Sequence, residues 1–202
     1  LFKLLLKPEK SPATLFQRFL FGLKARLYNI MISPFVYCLP QSLPFLHLGE
    51  THYHTLSGID GMDQVREELL AANISRYQND TETIHRCANI SNILDAMDQV
   101  INLPQVCGMK SSRRLLRYPL LLEAESRDHI YQQLNQAGLG VSTMYPDSLP
   151  GIDGLNLLFD KKYFPQAQAF ASRLITLPVH ANVSDKNIKR MNIVLSKCLI
   201  DD

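Results

Sequence analysis

The sequence predicts an α+β protein in which an N-terminal helical segment is followed by a small C-terminal sheet covered by helices. Two observations carry this reading. Apolar residues recur at helical spacing through the first half of the chain. Beyond residue 114, short apolar runs alternate with amphipathic helical patterns, the order expected of a small sheet with helices packed on it.

The first helix is expected over Ala13–Ile32. Leu15, Phe19, Leu23, Leu27 and Ile30 fall on one face, while Arg18 and Lys24 can point outward. It is the least polar element of the chain, and its apolar face suits packing on a partner or missing domain, or an interfacial membrane helix. Prolines at 34, 40 and 44 break any continuation, so residues 33–58 read as an irregular, partly extended connection. Helical periodicity resumes at Met62, Val65, Leu69 and Ala72, stops near Tyr77–Asp80, and restarts at Ile84, Cys87, Leu94, Met97 and Ile101. Pro104, Gly108 and the Ser111-Ser112-Arg113-Arg114 cluster mark an exposed link over 104–114. The expected organisation is therefore 1–58 as apolar helix and irregular connection, 59–110 as a helical pair, and 111–202 as a small α+β domain.

In that last part, Tyr118–Leu122 reads as a strand, Arg127–Ala137 as a helix and Leu139–Tyr145 as a second strand. Ser126 can cap the helix, Asp128 suits its positive end, and Gly138 can close it. A further helix runs through Phe164, Ala167, Ala171 and Leu174 with Pro165 in its first turn, leading into the run Ile175–Pro178. Ser184 and Asp185 open a final helix whose inner face is Ile188, Met191, Leu195 and Cys198.

Composition narrows the function classes. The chain has 202 residues, 46% apolar and 20% charged, an ordinary globular balance. With 21 basic against 19 acidic residues the net charge is +2, without the clustered basic surplus of a nucleic-acid-binding protein. Cysteines at 38, 87, 107 and 198 have no Cys-x-x-Cys spacing, which fits a reducing cytoplasm rather than a zinc knuckle or disulfide framework. No stretch of about 18 apolar residues escapes a charge or proline, so no membrane span is expected. The chain opens on Leu1 without an initiator methionine or a small-residue cleavage site, and reads as a cut end.

Motifs for chemistry are sparse. Glu50, His52 and His54 would share one side of an extended segment, but no further ligand has obvious spacing to them, and no metal site is assigned. Gly-Ile-Asp-Gly occurs at 58–61 and 151–154 with unrelated flanks, which turn chemistry explains. Glu123 and Glu125 form a carboxylate pair of a kind common on surfaces. There is no Gly-x-Ser-x-Gly elbow, His-Glu-x-x-His helix or glycine-rich phosphate loop.

An ordered series rises above this background. Arg117-Tyr118-Pro119-Leu120-Leu121 is followed by Arg127-Asp128 opening a helix, then by Ala137-Gly138-Leu139-Gly140 leading to Tyr145-Pro146. Phe164-Pro165-Gln166-Ala167, Leu174-Ile175-Thr176-Leu177-Pro178-Val179-His180 and Ser184-Asp185 complete it. Over residues 117–196 the series resembles the C-terminal domain of the DegT-type sugar aminotransferases, which are fold-type-I pyridoxal-phosphate (PLP) enzymes. Upstream, His47-Leu48-Gly49-Glu50-Thr51 resembles the segment that follows the cofactor domain in that family.

The resemblance implies a homodimer, a PLP cofactor, and transfer of an amino group from an amino acid to a keto-sugar nucleotide in polysaccharide or amino-sugar assembly. Such chemistry needs a lysine holding PLP, an aspartate at the pyridinium nitrogen and donors around the phosphate. In the family these lie mainly in the N-terminal domain. Lys3, Lys7, Lys10 and Lys24 lack the flanking small-residue and glycine context of the Schiff-base motif, so no residue is assigned as catalytic and this chain by itself is expected to bind no PLP. Met144 stands before Tyr145 where many relatives have histidine, and the family's Asn-bearing loop is not recognisable around Glu50–Tyr53. Tyr145 is the one substrate contact carried over; its alternative is a half-buried aromatic at a strand end. The alternative to a partial enzyme is a non-catalytic binding module derived from the same fold.

Overall fold

The computed structural model describes residues 14–33, 36, 62–110, 113–145, 147–152 and 164–200. The described residues of Leu1–Ile30 and His54–Asp80 form one compact unit, and those of Met31–Tyr53 and Thr81–Asp202 a second. Most of the connection expected over 33–58, with Glu50, His52 and His54, lies outside the described residues.

The first unit holds α1 (Leu15–Met31) and α2 (Gln64–Gln78). A reciprocal cap opens α1: the Gln17 amide N–H donates to Thr14 Oγ1 at 3.2 Å, and the Thr14 N–H donates to Gln17 Oε1 at 2.9 Å. This satisfies two of the donors that a helix start leaves unpaired. Asp63 caps α2 by accepting from the Arg66 N–H at 3.0 Å. Arg18 meets Glu68 through two parallel bonds of 2.5 and 2.8 Å, and the Arg66 guanidinium lies 5.7 Å from the Phe21 ring centroid. No described residue of either helix is buried.

The second unit is α+β. Its elements are α3 (Glu82–Leu94), β1 (Ile101–Asn102), the single turn α4 (Leu103–Val106), β2 (Arg117–Leu121), α5 (Ala124–Gln136), a 3-10 turn at Leu149–Gly151, α6 (Pro165–Arg173), β3 (Leu174–Pro178) and α7 (Asp185–Ile200). The strands form an antiparallel sheet in the order β1-β2-β3, with Leu120 opposite Ile175 and Tyr118 opposite Leu177. Because strand side chains alternate, these four residues share one face. They enter the core with Cys87, Ile90 and Leu94 of α3, Ile130 and Leu134 of α5, and Ile188, Met191 and Leu195 of α7. Each fully buried aliphatic side chain of this kind stabilises the fold by about 1.5–3 kcal/mol before entropy is counted.

One polar group enters this core with its partners satisfied. The buried Tyr118 hydroxyl donates to Asn102 Oδ1 at 2.8 Å, and the Asn102 amide donates to Ser91 Oγ at 3.0 Å and Asp95 Oδ1 at 2.7 Å. Burial raises the Tyr118 pKa above the ordinary phenol value, so it stays a donor across the physiological range. The bonds join α3, β1 and β2, and a buried amide is tolerated because its N–H groups and oxygen are both used.

Three expectations are corrected. Leu139–Tyr145 is not a strand: only Ser142 bridges the sheet, to Thr176. The Asn135 side chain takes both the N–H and the C=O of Val141, at 2.9 and 3.1 Å, groups that a ladder would need. Gly138, Gly140 and Met144 have φ of +69°, +63° and +62°, values incompatible with a regular strand. The helix expected to reach Ile101 stops at Leu94, since the Asn102 bonds to Ser91 and Asp95 turn the chain back and release Ile101–Asn102 into the sheet. Finally, α5 begins ahead of Ser126, whose hydroxyl donates to the Glu123 carbonyl at 3.4 Å instead of capping. Gly138 closes α5 as expected, its N–H reaching the Asn135 carbonyl at 2.8 Å.

Candidate functional site

Where β3 ends, its backbone meets two arginines and a histidine. Arg86, on the buried face of α3, donates from Nε to the Val179 carbonyl at 3.0 Å and from Nη2 to Thr83 Oγ1 at 3.1 Å. The Thr83 hydroxyl reaches the same carbonyl at 3.4 Å. Arg117, first residue of β2, spans two segments: Nε donates to Thr176 Oγ1 at 2.8 Å, and Nη2 to the Thr176 and Gly140 carbonyls at 2.9 and 2.7 Å. The Thr176 hydroxyl donates onward to the Ser142 carbonyl at 3.0 Å. Arg117 therefore clamps the Gly140–Ser142 segment to the sheet edge, using the planar fork that lysine lacks.

His180 follows directly. Its Nδ1 accepts the Asn182 N–H at 3.3 Å, so the neutral ring carries its proton on Nε2. Burial lowers its pKa below the usual imidazole value, and the charges of Arg117 and Arg86 add to the effect. Neutral His180 at pH 7 is a donor beside two fixed cations, a setting suited to an acidic or hydroxyl-bearing group. The shift has a consequence for stability. The unfolded imidazole, with a pKa of about 6.5, binds more protons than the folded one below that pH. The contribution is therefore present above that pH and lost as pH falls below it toward the folded value. Urea unfolding between pH 7.5 and 5 is expected to show a shallower acid-side loss for His180→Gln than for the parent chain.

Tyr145 leaves the sheet edge three residues after the Ser142 bridge. It is 61% exposed, and among the described residues its phenol has no hydrogen-bond partner. Its backbone is held by the positive-φ Met144 and by its own N–H donating to the Thr143 carbonyl at 2.7 Å. Since Ser142 pairs antiparallel with Thr176, the chain beyond it runs away from the His180 end, and Tyr145 is not joined to the arginine-histidine group by any described hydrogen bond. Glu123 and Glu125 line an open groove of about 380 Å³ with Gln99, Ser126, His129 and Leu199. Glu123 also accepts from Arg173 Nη2 at 3.2 Å. No cluster of three potential metal ligands occurs among the described residues, and Cys87, Cys107 and Cys198 form no disulfide.

Arg117 and His180 belong to the family-like series in the sequence without standing out there as a site, and Arg86 lies outside that series. The signal for Arg86 was weak: a charged residue beside apolar positions of a helix, between Thr83 and Cys87.

The model of the DegT/DnrJ/EryC1/StrS aminotransferase family matches residues 66–195, well over half of the chain. The chain belongs to this family. No curated protein matches it. Among solved structures, a Streptococcus pneumoniae protein assigned as a sugar aminotransferase, Spr1654 in its PMP form, is similar at 25% identity and TM-score 0.57, over 79% of this chain and 41% of that one. PseC of Helicobacter pylori, an aminotransferase involved in the biosynthesis of pseudoaminic acid, is similar in fold at 15% identity and TM-score 0.59, over 81% of this chain and 47% of that one. DesV of S. venezuelae is similar in fold at 14% identity and TM-score 0.58, over 80% and 44%. The chain thus spans less than half the length of the structures it matches.

The described residues do not fit a holder for PLP. Lys24, Lys110, Lys186, Lys189 and Lys197 are all exposed. A Schiff-base lysine is ordinarily held in a desolvated pocket, and none of these five side chains is buried.

Proposed function

We propose that this chain is the C-terminal part of a PLP-dependent sugar-nucleotide aminotransferase, and that it is inactive without the part that holds the cofactor. The whole enzyme would move an amino group from an amino acid to a keto-sugar nucleotide, in polysaccharide or amino-sugar biosynthesis, as a cytoplasmic homodimer. The observation that carries this reading is the family match over 66–195 in a chain that spans 41–47% of its structural relatives. PLP supplies an electron sink in such enzymes, and the exposed lysines described here support placing its attachment elsewhere.

In this reading residues 111–202 shape the substrate side, 59–110 form a helical pair, and 1–58 link to the cofactor domain. Tyr145 contacts substrate. Its exposure, together with a backbone fixed by the bridge at Ser142 and the Arg117 clamp, supports a ring presented outward on a firm base.

The test is a PLP titration of the 202-residue chain followed by borohydride reduction and peptide mapping. The expected result is no saturable absorbance band and scattered, substoichiometric labelling of surface lysines. One lysine labelled at one equivalent overturns the claim that the chain lacks the cofactor site. Reading the gene upstream tests the other half: a coding region for a cofactor domain with a lysine after a strand is expected, and an in-frame stop directly before Leu1 removes the full-length enzyme.

A further inference from the structure

The apolar face of α1 points away from the side on which α1 meets α2. Arg18 and Phe21 meet α2 through Glu68 and Arg66, and on a helix advancing about 100° per residue Gly22 and Ala25 lie on that same side. Phe21, Gly22 and Ala25 are accordingly half-buried. The opposite side carries Phe16, Phe19, Leu23, Leu27 and Ile30, which are 71, 68, 54, 56 and 59% exposed. They form one continuous stripe.

Among the residues of α1 itself, the charges flanking that stripe are of one sign. Lys24 borders it on one side and Arg26 on the other, and the sequence of α1 contains no Asp or Glu. Two copies of α1 laid face to face would bring these cations together with no acid on either helix to offset them. An anionic surface meets both requirements, since the stripe enters the apolar layer while flanking Lys and Arg stems reach back to the headgroups. No described helix is long and apolar enough to cross a bilayer.

We infer that α1 is a membrane-surface helix that docks the chain in the plane of an anionic lipid bilayer through Phe16, Phe19, Leu23, Leu27 and Ile30, with Lys24 and Arg26 at the headgroups. The inference does not depend on the aminotransferase reading.

The test is co-sedimentation of the full 202-residue chain with vesicles of phosphatidylcholine and phosphatidylglycerol at 3:1, beside pure phosphatidylcholine. Binding to the anionic vesicles is expected to fall at least tenfold in Leu23→Glu/Leu27→Glu. Each of Lys24→Gln and Arg26→Gln is expected to lower it roughly fivefold, the share of one basic residue near an anionic surface. Leu116→Glu, which alters an 81% exposed leucine elsewhere, leaves binding unchanged. Unchanged circular dichroism and urea midpoints show that the exposed-site variants still fold. Absence of binding by the folded parent chain overturns the inference. So does equal binding to both vesicle types, or self-association in sedimentation equilibrium that Leu23→Glu/Leu27→Glu abolishes while vesicle binding is unaffected.

Discussion

Leu120→Ala is expected to destabilise the second unit by about 2–5 kcal/mol, the range for emptying a fully buried leucine site. Leu120 is wholly inaccessible in the central strand, opposite Ile175 and in one cluster with residues from α3, α5 and α7. Elements on every side are tied to others through the core, so little collapse into the void is available and the upper part of the range is expected. Typical total stability is about 5–15 kcal/mol, so the variant loses a large share of it. Urea unfolding followed by circular dichroism reads the loss as a lower midpoint. Leu116→Ala, at an 81% exposed position just before β2, is the matched control and is expected within about 0.5 kcal/mol of the parent.

Arg117→Met is expected to cost about 2–4 kcal/mol and to raise the pKa of His180. The substitution keeps the apolar stem but removes the donors to Thr176 Oγ1 and to the Thr176 and Gly140 carbonyls. Bonds from a charged donor contribute about 1.5–3 kcal/mol each and are not additive when they share one guanidinium. The same change removes a positive charge that disfavours protonation of His180, while burial and Arg86 continue to oppose it. Arg117→Lys separates the two effects. It keeps the charge, so His180 stays depressed, but it lacks the planar fork and is expected to recover only part of the stability. Histidine proton chemical shifts followed over pH give the first readout and urea unfolding the second. An unchanged His180 titration in Arg117→Met would show that burial alone sets its pKa.

The helices α3, α5 and α7 were legible because each carries an apolar stripe that is buried. Ile188, Met191, Leu195 and Cys198 recur at the period of one face, and all four are buried in α7. The runs at Tyr118–Leu122 and Ile175–Pro178 were legible for a similar reason, as short apolar segments bounded by charge, proline or turn residues. Leu139–Tyr145 misled because Leu139 and Val141 are as buried as strand residues, yet Asn135 holds the backbone out of a ladder. Ile101–Asn102 was missed because two residues cannot show a period.

The candidate site was less legible than the fold. Arg86 is buried with its charge spent on Val179 and Thr83, an arrangement assembled from segments more than ninety positions apart that local pattern does not record. Tyr145 was reachable only through family resemblance, and its exposure on the loop after Ser142 came with the structure.

By itself the sequence determined the α+β class, the helical stripes, the two longer strands and membership of the aminotransferase family, because these rest on period and order along the chain. The tertiary structure decided which short segment completes the sheet, which arginines are clamps and which way the apolar face of α1 points. Those depend on which groups lying far apart in sequence meet and satisfy one another's hydrogen bonds, and neither period nor composition encodes that choice.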